Sequence, residues 1–162
     1  MQKITPFLWF NGNGEEAVDF YASVFKDFKK GKMIRYTKES SEAAGIPEGE
    51  PLTIEFEIFG QKFVVLNAGD EFHFTEAVSF AINCDTQEEI DYYWDKLSEG
   101  GEESVCGWLK DKFGLSWQIT PRIWPELMGG PDKEGAARAM EAMLKMKKLD
   151  IGKLKDAYEN KK

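Results

Sequence analysis

Two stretches of the chain carry the same order of hydrophobic and polar positions. In the first, an apolar run from Ile4 to Phe10 reads as a strand, and Asn13-Gly14-Glu15-Glu16 then supplies an N-cap residue with a glutamate three positions on. Ala17, Phe20, Tyr21 and Val24 follow at i, i+3, i+4 and i+7, the stripe of an amphipathic helix. In the second, Val78, Phe80 and Ile82 alternate with Ser79, Ala81 and Asn83, and Thr86-Gln87-Glu88-Glu89 repeats the capping box. Ile90, Tyr93, Trp94 and Leu97 repeat the helical spacing. A shift of 72 positions lays Leu8 on Phe80, Phe10 on Ile82, Asp19 on Asp91 and Phe20-Tyr21 on Tyr92-Tyr93. The pattern predicts a duplicated βα unit.

Strand signals follow each helix. Met33 to Thr37 is a short candidate, and Leu52 to Phe59 alternates cleanly with Leu52, Ile54, Phe56 and Ile58 on one face. A tight turn at Gly60-Gln61 leads into Lys62 to Asn67, which makes a hairpin. In the second half Gly100-Gly101 ends the helix, Glu103 to Leu109 and Leu115 to Thr120 read as strands, and Asp111 to Gly114 as the turn between them. Residues 38–50, rich in Ser, Glu, Ala, Gly and Pro, read as a mobile surface loop. The predicted architecture is α+β: paired βαβββ modules at 1–70 and 71–121 in one structural domain, followed by a helical extension at 122–162. In that extension Pro121, Pro125 and Pro131 punctuate a short helix from Ile123 to Met128. A second helix carries Ala136, Ala139, Met140, Met143 and Leu144 on one stripe, read as core packing or a subunit contact, and a third starts after Asp150 as N-cap.

Composition narrows the chemistry. The 162 residues include one histidine and two cysteines, Cys84 and Cys106, far apart in sequence. Zinc fingers, three-histidine zinc sites and two-histidine facial triads are excluded within one chain. Acidic residues outnumber basic ones 29 to 21, a net charge of −8 that repels phosphate backbones, so nucleic acid is not an expected partner. No signal-peptide core and no apolar stretch of spanning length is present, which predicts a cytoplasmic protein with reduced thiols and no membrane partner.

Three stretches carry a family resemblance. They are the opening Ile4-Thr-Pro-Phe-Leu-Trp-Phe-Asn-Gly-Asn13 with Glu15-Glu16-Ala17 and Phe20-Tyr21, the middle Phe72-His-Phe-Thr-Glu-Ala-Val-Ser-Phe80, and the signature Cys106-Gly-Trp-Leu-Lys-Asp-Lys-Phe-Gly-Leu-Ser-Trp-Gln118 with Pro121. Together they resemble the PhnB-like proteins of the vicinal oxygen chelate superfamily, which includes glyoxalase I, the fosfomycin and bleomycin resistance proteins and the extradiol dioxygenases. The group often bears the label "3-demethylubiquinone-9 3-methyltransferase domain". The resemblance implies a glyoxalase/bleomycin resistance fold with a cleft, commonly completed in a homodimer. It also implies a divalent metal held by histidines near the start of each module's first strand and by a glutamate on the last strand. Those positions are Thr5 or Pro6, Ala77 or Val78, and Gln118. None supplies an imidazole or a carboxylate, so no metal and no other cofactor is expected there.

Strand parity selects the cleft residues. If Val78, Phe80 and Ile82 pack under the helix, the opposite face holds Ala77, Ser79 and Ala81, and by the repeat Thr5, Phe7 and Trp9. Cys106 shares a face with Trp108, Gln118 shares one with Ser116, Glu55 and Glu57 oppose the apolar face of the hairpin, and Asn67 ends its strand. Thr5, Trp9, Glu57, Asn67, Cys106, Trp108 and Gln118 are therefore the candidate ligand-binding residues. Catalytic residues are not assigned: His73 lies in a connecting segment, and Cys106 has no neighbouring pattern that makes a thiolate. The expected function is binding of a small molecule in a sheet-lined cleft without the usual metal. One alternative is a lyase- or dioxygenase-type enzyme with a relocated metal, using His73 with Glu71 or Glu76, or with Glu55 or Glu57 as a carboxylate base. The methyltransferase label is disfavoured, because Asn11-Gly-Asn-Gly14 lacks the rest of a nucleotide-binding glycine pattern.

Overall fold

The structure is a computed structural model that describes residues 2–161, so Met1 and Lys162, the outer ends of the first and last expected segments, lie outside the described residues. The backbone divides into two compact units, Met1–Phe74 and Thr75–Lys162. In the first, β1 (Phe7–Asn11), α1 (Gly14–Val24), β2 (Lys29–Arg35), α2 (Lys38–Ala44), β3 (Pro51–Ile58) and β4 (Gln61–Ala68) form a sheet of order β1-β4-β3-β2. In the second, β5 (Ser79–Cys84), α3 (Gln87–Ser98), β6 (Glu102–Glu103), β7 (Trp108–Lys110) and β8 (Ser116–Pro121) give the order β5-β8-β7-β6. β1 runs parallel to β4 and β5 to β8, and the other pairs are antiparallel. The duplication is written into the register: Phe7 lies opposite Val64, and Ser79 lies opposite Ser116. This is the α+β architecture of paired modules that the hydrophobic pattern predicts.

Each sheet has a helix-covered face and an open face. Leu8 and Phe10 are buried on the α1 side, as are Phe63 and Val65 of β4, whereas Phe7 is 62% exposed. In the second unit Trp117, Ile119 and Pro121 are buried while Gln118 and Thr120 are half-buried. A one-residue slip would exchange these sets at about 2 kcal/mol for each large apolar side chain turned out, so the register is strongly specified.

A buried carboxylate pins β8. Asp111 is 2% exposed; its Oδ1 accepts from the backbone N–H of Phe113 (2.9 Å) and of Leu115 (3.1 Å), and its Oδ2 accepts from Trp117 Nε1 at 2.9 Å. The first two bonds shape the turn between β7 and β8. The third fixes Trp117 toward α3, which sends its neighbours Ser116 and Gln118 to the open face.

The expected strand from Glu103 to Leu109 is instead two short strands separated by a bulge. Cys106 (φ +58°) and Gly107 (φ +82°) both turn left-handed there, and a Cβ on Gly107 would lie 2.7 Å from the Ile119 carbonyl oxygen. The bulge is anchored by Cys106 N–H to Met146 O and Gly107 N–H to Lys147 O, both 2.8 Å. Those carbonyls follow α5 (Lys133–Leu144), so the bulge is where the C-terminal helices attach to the second sheet. α4 (Trp124–Gly129), α5 and α6 (Ile151–Tyr158) pack around Leu127, Leu149 and Leu154. Asp132 and Asp150 cap α5 and α6 through Gly135 N–H and Lys153 N–H. The Met-rich stripe divides: Ala139 and Met143 pack inward, while Met140 and Leu144 are exposed. Among the described residues no helix is long and apolar enough to cross a membrane.

Several segments differ from their sequence pattern. Residues 38–50, read as a loop, contain α2, capped by reciprocal Thr37 and Ser40 bonds and ended by Gly45 at φ +69°. It buries no side chain, so it left no apolar periodicity to read. Val78 does not pack under a helix; it precedes β5 and is 64% exposed. Asn13 makes no side-chain capping bond. Gly14 N–H is satisfied instead by Asn67 Oδ1 at 2.9 Å, across the sheet.

Two outcomes follow. Asp111→Ala removes the acceptor of three donors, two of them buried, and should lower unfolding free energy by about 3 kcal/mol in urea titration, with Asp111→Asn losing less; an unchanged midpoint for Asp111→Ala would show that the carboxylate does not hold β8. Burial, reinforced by the Glu89 and Asp85 carboxylates, pushes the Cys84 thiol up to about 12. An unfolded thiol ionises from about pH 8.5, so between there and about 12 the unfolded state binds fewer protons and stability falls as pH rises. Iodoacetamide at pH 8 should leave Cys84 unmodified in the native protein and alkylate it in urea; native alkylation at Cys84 contradicts its placement.

Candidate functional site

The open faces of the two sheets carry different chemistry. In the first unit the face holds Phe7 and Trp9 from β1, Val64 and Leu66 from β4, and Glu55 and Glu57 from β3. An open depression of about 470 Å³ lies there, lined by Thr5, Phe7, Lys29, Glu55, Glu57 and Lys62 among others. Thr5 and Glu57 thus meet at one depression. Glu57 is held by Lys29, Oε1 to Nζ 2.7 Å, and that hydrogen bond keeps its carboxyl below the usual range. Trp9 donates its indole N–H to Gly69 O at 2.7 Å and meets Phe72 edge-on, centroids 4.8 Å apart.

Asn67 belongs to the other face. It is 3% exposed, and its side chain is spent on Gly14 N–H and on donating to Pro51 O at 3.1 Å. A Cβ on Gly14 would approach Val65 Cγ1 to 2.4 Å, so the helix start is pressed onto the sheet where Asn67 caps it. Asn67 is a structural cap beneath α1 and does not line the open face. The same bond spends the first free N–H of the Asn11–Gly14 turn inside the protein.

In the second unit the open face is polar. Gln118 is half-buried and donates from Nε2 to Ser79 Oγ at 2.9 Å. Trp108 lies directly across the strand pair from Gln118, and Ala81 flanks Gln118 on the other side. Two residues along β8, Ser116 lies between Ser79 of β5 and Lys110 of β7. Ser116 is 0% exposed, and among the described residues its Oγ has no hydrogen-bond partner. Leaving such a hydroxyl unsatisfied costs about 1–3 kcal/mol. Lys110 Nζ lies 2.5 Å from Glu76 Oε1, an ion pair whose hydrogen bond raises the lysine and lowers the glutamate. A depression of about 420 Å³ is lined by Glu76, Glu102, Trp108, Lys110 and Ser116 among others. Cys106, expected on the Trp108 face, sits in the bulge with its backbone turned left-handed, so the two do not share a strand face.

The positions that the superfamily resemblance assigns to metal ligands can be tested on their donors. Thr5 offers a hydroxyl, Ala77 nothing, and Gln118 only a neutral amide oxygen, its Nε2 donating to Ser79. As a donor set for a divalent first-row metal these residues do not fit. His73 is exposed, with Nε2 3.6 Å from Asp70 Oδ1. The sequence pattern put Gln118 and Trp108 on strands, Ser79 on the cleft face, Ser116 on the face of Gln118 and Glu76 near His73, but chose none of the last three as ligand-binding and gave no signal for Lys110 or Glu102. The parity of β8 carried the signal for Ser116, since it puts that residue on the face of Gln118. The pairing of Glu76 with Lys110 had no local signature.

Comparison with known proteins places this geometry. Residues 2–120 match the sequence family described as 3-demethylubiquinone-9 3-methyltransferase. The structure is similar to that of a putative 3-demethylubiquinone-9 3-methyltransferase, PhnB protein, from Bacillus cereus, at 36% identity over 74% of this chain and 99% of that one, with a TM-score of 0.65. A protein from Pseudomonas aeruginosa shares the fold at 18% identity, 75% and 98% coverage and a TM-score of 0.59. So does the fosfomycin resistance protein FosX from Listeria monocytogenes, at 12% identity, 75% and 93% coverage and a TM-score of 0.52. No curated protein matches the chain. The chain belongs to the 3-demethylubiquinone-9 3-methyltransferase, or PhnB-like, family.

Proposed function

We propose that the protein binds a small organic molecule on the open face of its second sheet, through direct polar and aromatic contacts and without a divalent metal. The observation that carries this reading is the Gln118 to Ser79 hydrogen bond. At the place where a metal-dependent relative needs a carboxylate, this chain holds a neutral amide oriented by a hydroxyl, with Trp108 across the strand pair. An amide that both donates and accepts, beside an indole face and the small Ala81, suits a ligand with one polar anchor and an apolar body.

The alternatives draw less support. Glu57 is held below the usual carboxylate range by Lys29, which makes it a weaker base than an ordinary glutamate. A nucleotide-type cofactor at the Asn11–Gly14 turn would need backbone N–H groups facing outward, and the first of them is given to Asn67.

A nitrogen-15 NMR screen of a fragment library against chelator-treated protein tests the reading. Fragments that bind should shift the Gln118 side-chain amide, the Ser79 amide and the Trp108 indole together, and Gln118→Ala should weaken them at least tenfold with its melting temperature unchanged. Binding that appears only on adding a divalent ion, or shifts confined to other surfaces, would sink it.

A further inference from the structure

The polar row across the second sheet identifies the kind of head group that this face takes. Ser79, Ser116, Lys110 and Glu102 lie opposite one another in succession on β5, β8, β7 and β6. Neighbouring strands are about 4.8 Å apart and directly paired residues project to the same side, so two hydroxyls, an ammonium and a carboxylate stand in line. The fold does not demand them. The equivalent row of the first sheet begins Phe7, Val64, Glu55, with apolar side chains where the second has both serines.

Within this row Ser116 is anomalous as a structural residue. A fully buried hydroxyl with no partner is disfavoured, and an alanine would fill the same place without that cost. Ser116 lines the depression formed with Lys110, Glu76, Glu102 and Trp108, so a polar atom arriving there would satisfy it. Charge decides what arrives. A simple anion would have to approach Lys110 past Glu76 and Glu102, and a simple cation would meet Lys110 itself. A group carrying both charges avoids both conflicts. Its carboxylate takes the Lys110 ammonium and the Ser116 hydroxyl, while its ammonium takes the Glu76 carboxylate that Lys110 gives up, with Glu102 alongside. The adjoining row, Ala81, Gln118 and Trp108, offers a small gap, an amide and an indole face for the body attached to that head.

We infer that the ligand of this face is a zwitterionic amino acid with an apolar side chain, its head group seated between Ser116, Lys110 and Glu76. The inference rests on the proposed binding function and specifies its ligand class.

Calorimetric titration of the full chain with phenylalanine and leucine, and with two single-charge relatives, 3-phenylpropanoate and 2-phenylethylamine, tests it. Phenylalanine or leucine should bind, and at least tenfold more tightly than either single-charge probe. Ser116→Ala should keep or raise the melting temperature, because it removes an unsatisfied buried hydroxyl, and yet weaken amino-acid binding at least tenfold. Lys110→Met should also weaken it. Failure of both amino acids to bind at 10 mM, equal binding by a single-charge probe, or an unaltered affinity in a folded Ser116→Ala protein would each overturn the assignment. A single-charge probe that binds as tightly as the amino acids and shifts Gln118 and Trp108 would leave the small-molecule reading standing while removing the zwitterion.

Discussion

The buried Asp111 carboxylate is the contact on which the geometry of the second sheet depends. One side chain collects two backbone donors of a turn and the indole N–H of Trp117, and in doing so decides which way β8 faces. Because side chains alternate along a strand, fixing Trp117 toward α3 sends Ser116 and Gln118 to the open face. The signature from Cys106 to Gln118 therefore has a physical logic. Gly107 permits the bulge, the backbone of Cys106 and Gly107 receives the C-terminal segment, Asp111 locks the turn, and Trp117 sets the phase for Gln118.

The two modules share a register and differ in what their open faces present. The first solves its helix-capping problem with Asn67, reaching from β4 to Gly14, where the second uses the local Thr86 hydroxyl accepting from Glu89 N–H. Its open face is aromatic and aliphatic with glutamates, one of them tied to Lys29. The second face carries serines, an amide, a lysine and acidic neighbours in the same frame. A duplicated scaffold with unlike surfaces is what separate roles for the two halves would produce, since the backbone pairing tolerates either set.

Much of the fold was legible because its signals are local. The stripe Ala17, Phe20, Tyr21, Val24 and its copy at Ile90, Tyr93, Trp94, Leu97 named both sheet-covering helices, and alternation at Leu52 to Ile58 named β3. α2 escaped because a helix that buries nothing has no apolar period, although Thr37 and Ser40 held its capping signal. The break between β6 and β7 escaped because the Ser104–Gly107 bulge is anchored by carbonyls near residue 146, far along the chain. The candidate site was legible only as far as the family resemblance and strand parity reach. Gln118 came from the resemblance and Trp108 from the alternation, whereas Asn67 was chosen for its place at a strand end although its parity with Phe63 and Val65 puts it on the helix-covered face. The Lys110 to Glu76 pair and the unpartnered Ser116 hydroxyl depend on which strands lie side by side, which no local pattern states.

In the proposed binding mode Gln118 and its surroundings meet a ligand directly, with no metal between. Paramagnetic broadening measures this most directly: manganese(II) is added to nitrogen-15-labelled, chelator-treated protein, and each amide signal is followed. With direct binding, the Gln118 side-chain amide, Ser79 and Trp108 should broaden no more than scattered surface glutamates do. Selective loss of the Gln118 and Ser79 signals at substoichiometric manganese would place a metal on that face and contradict it.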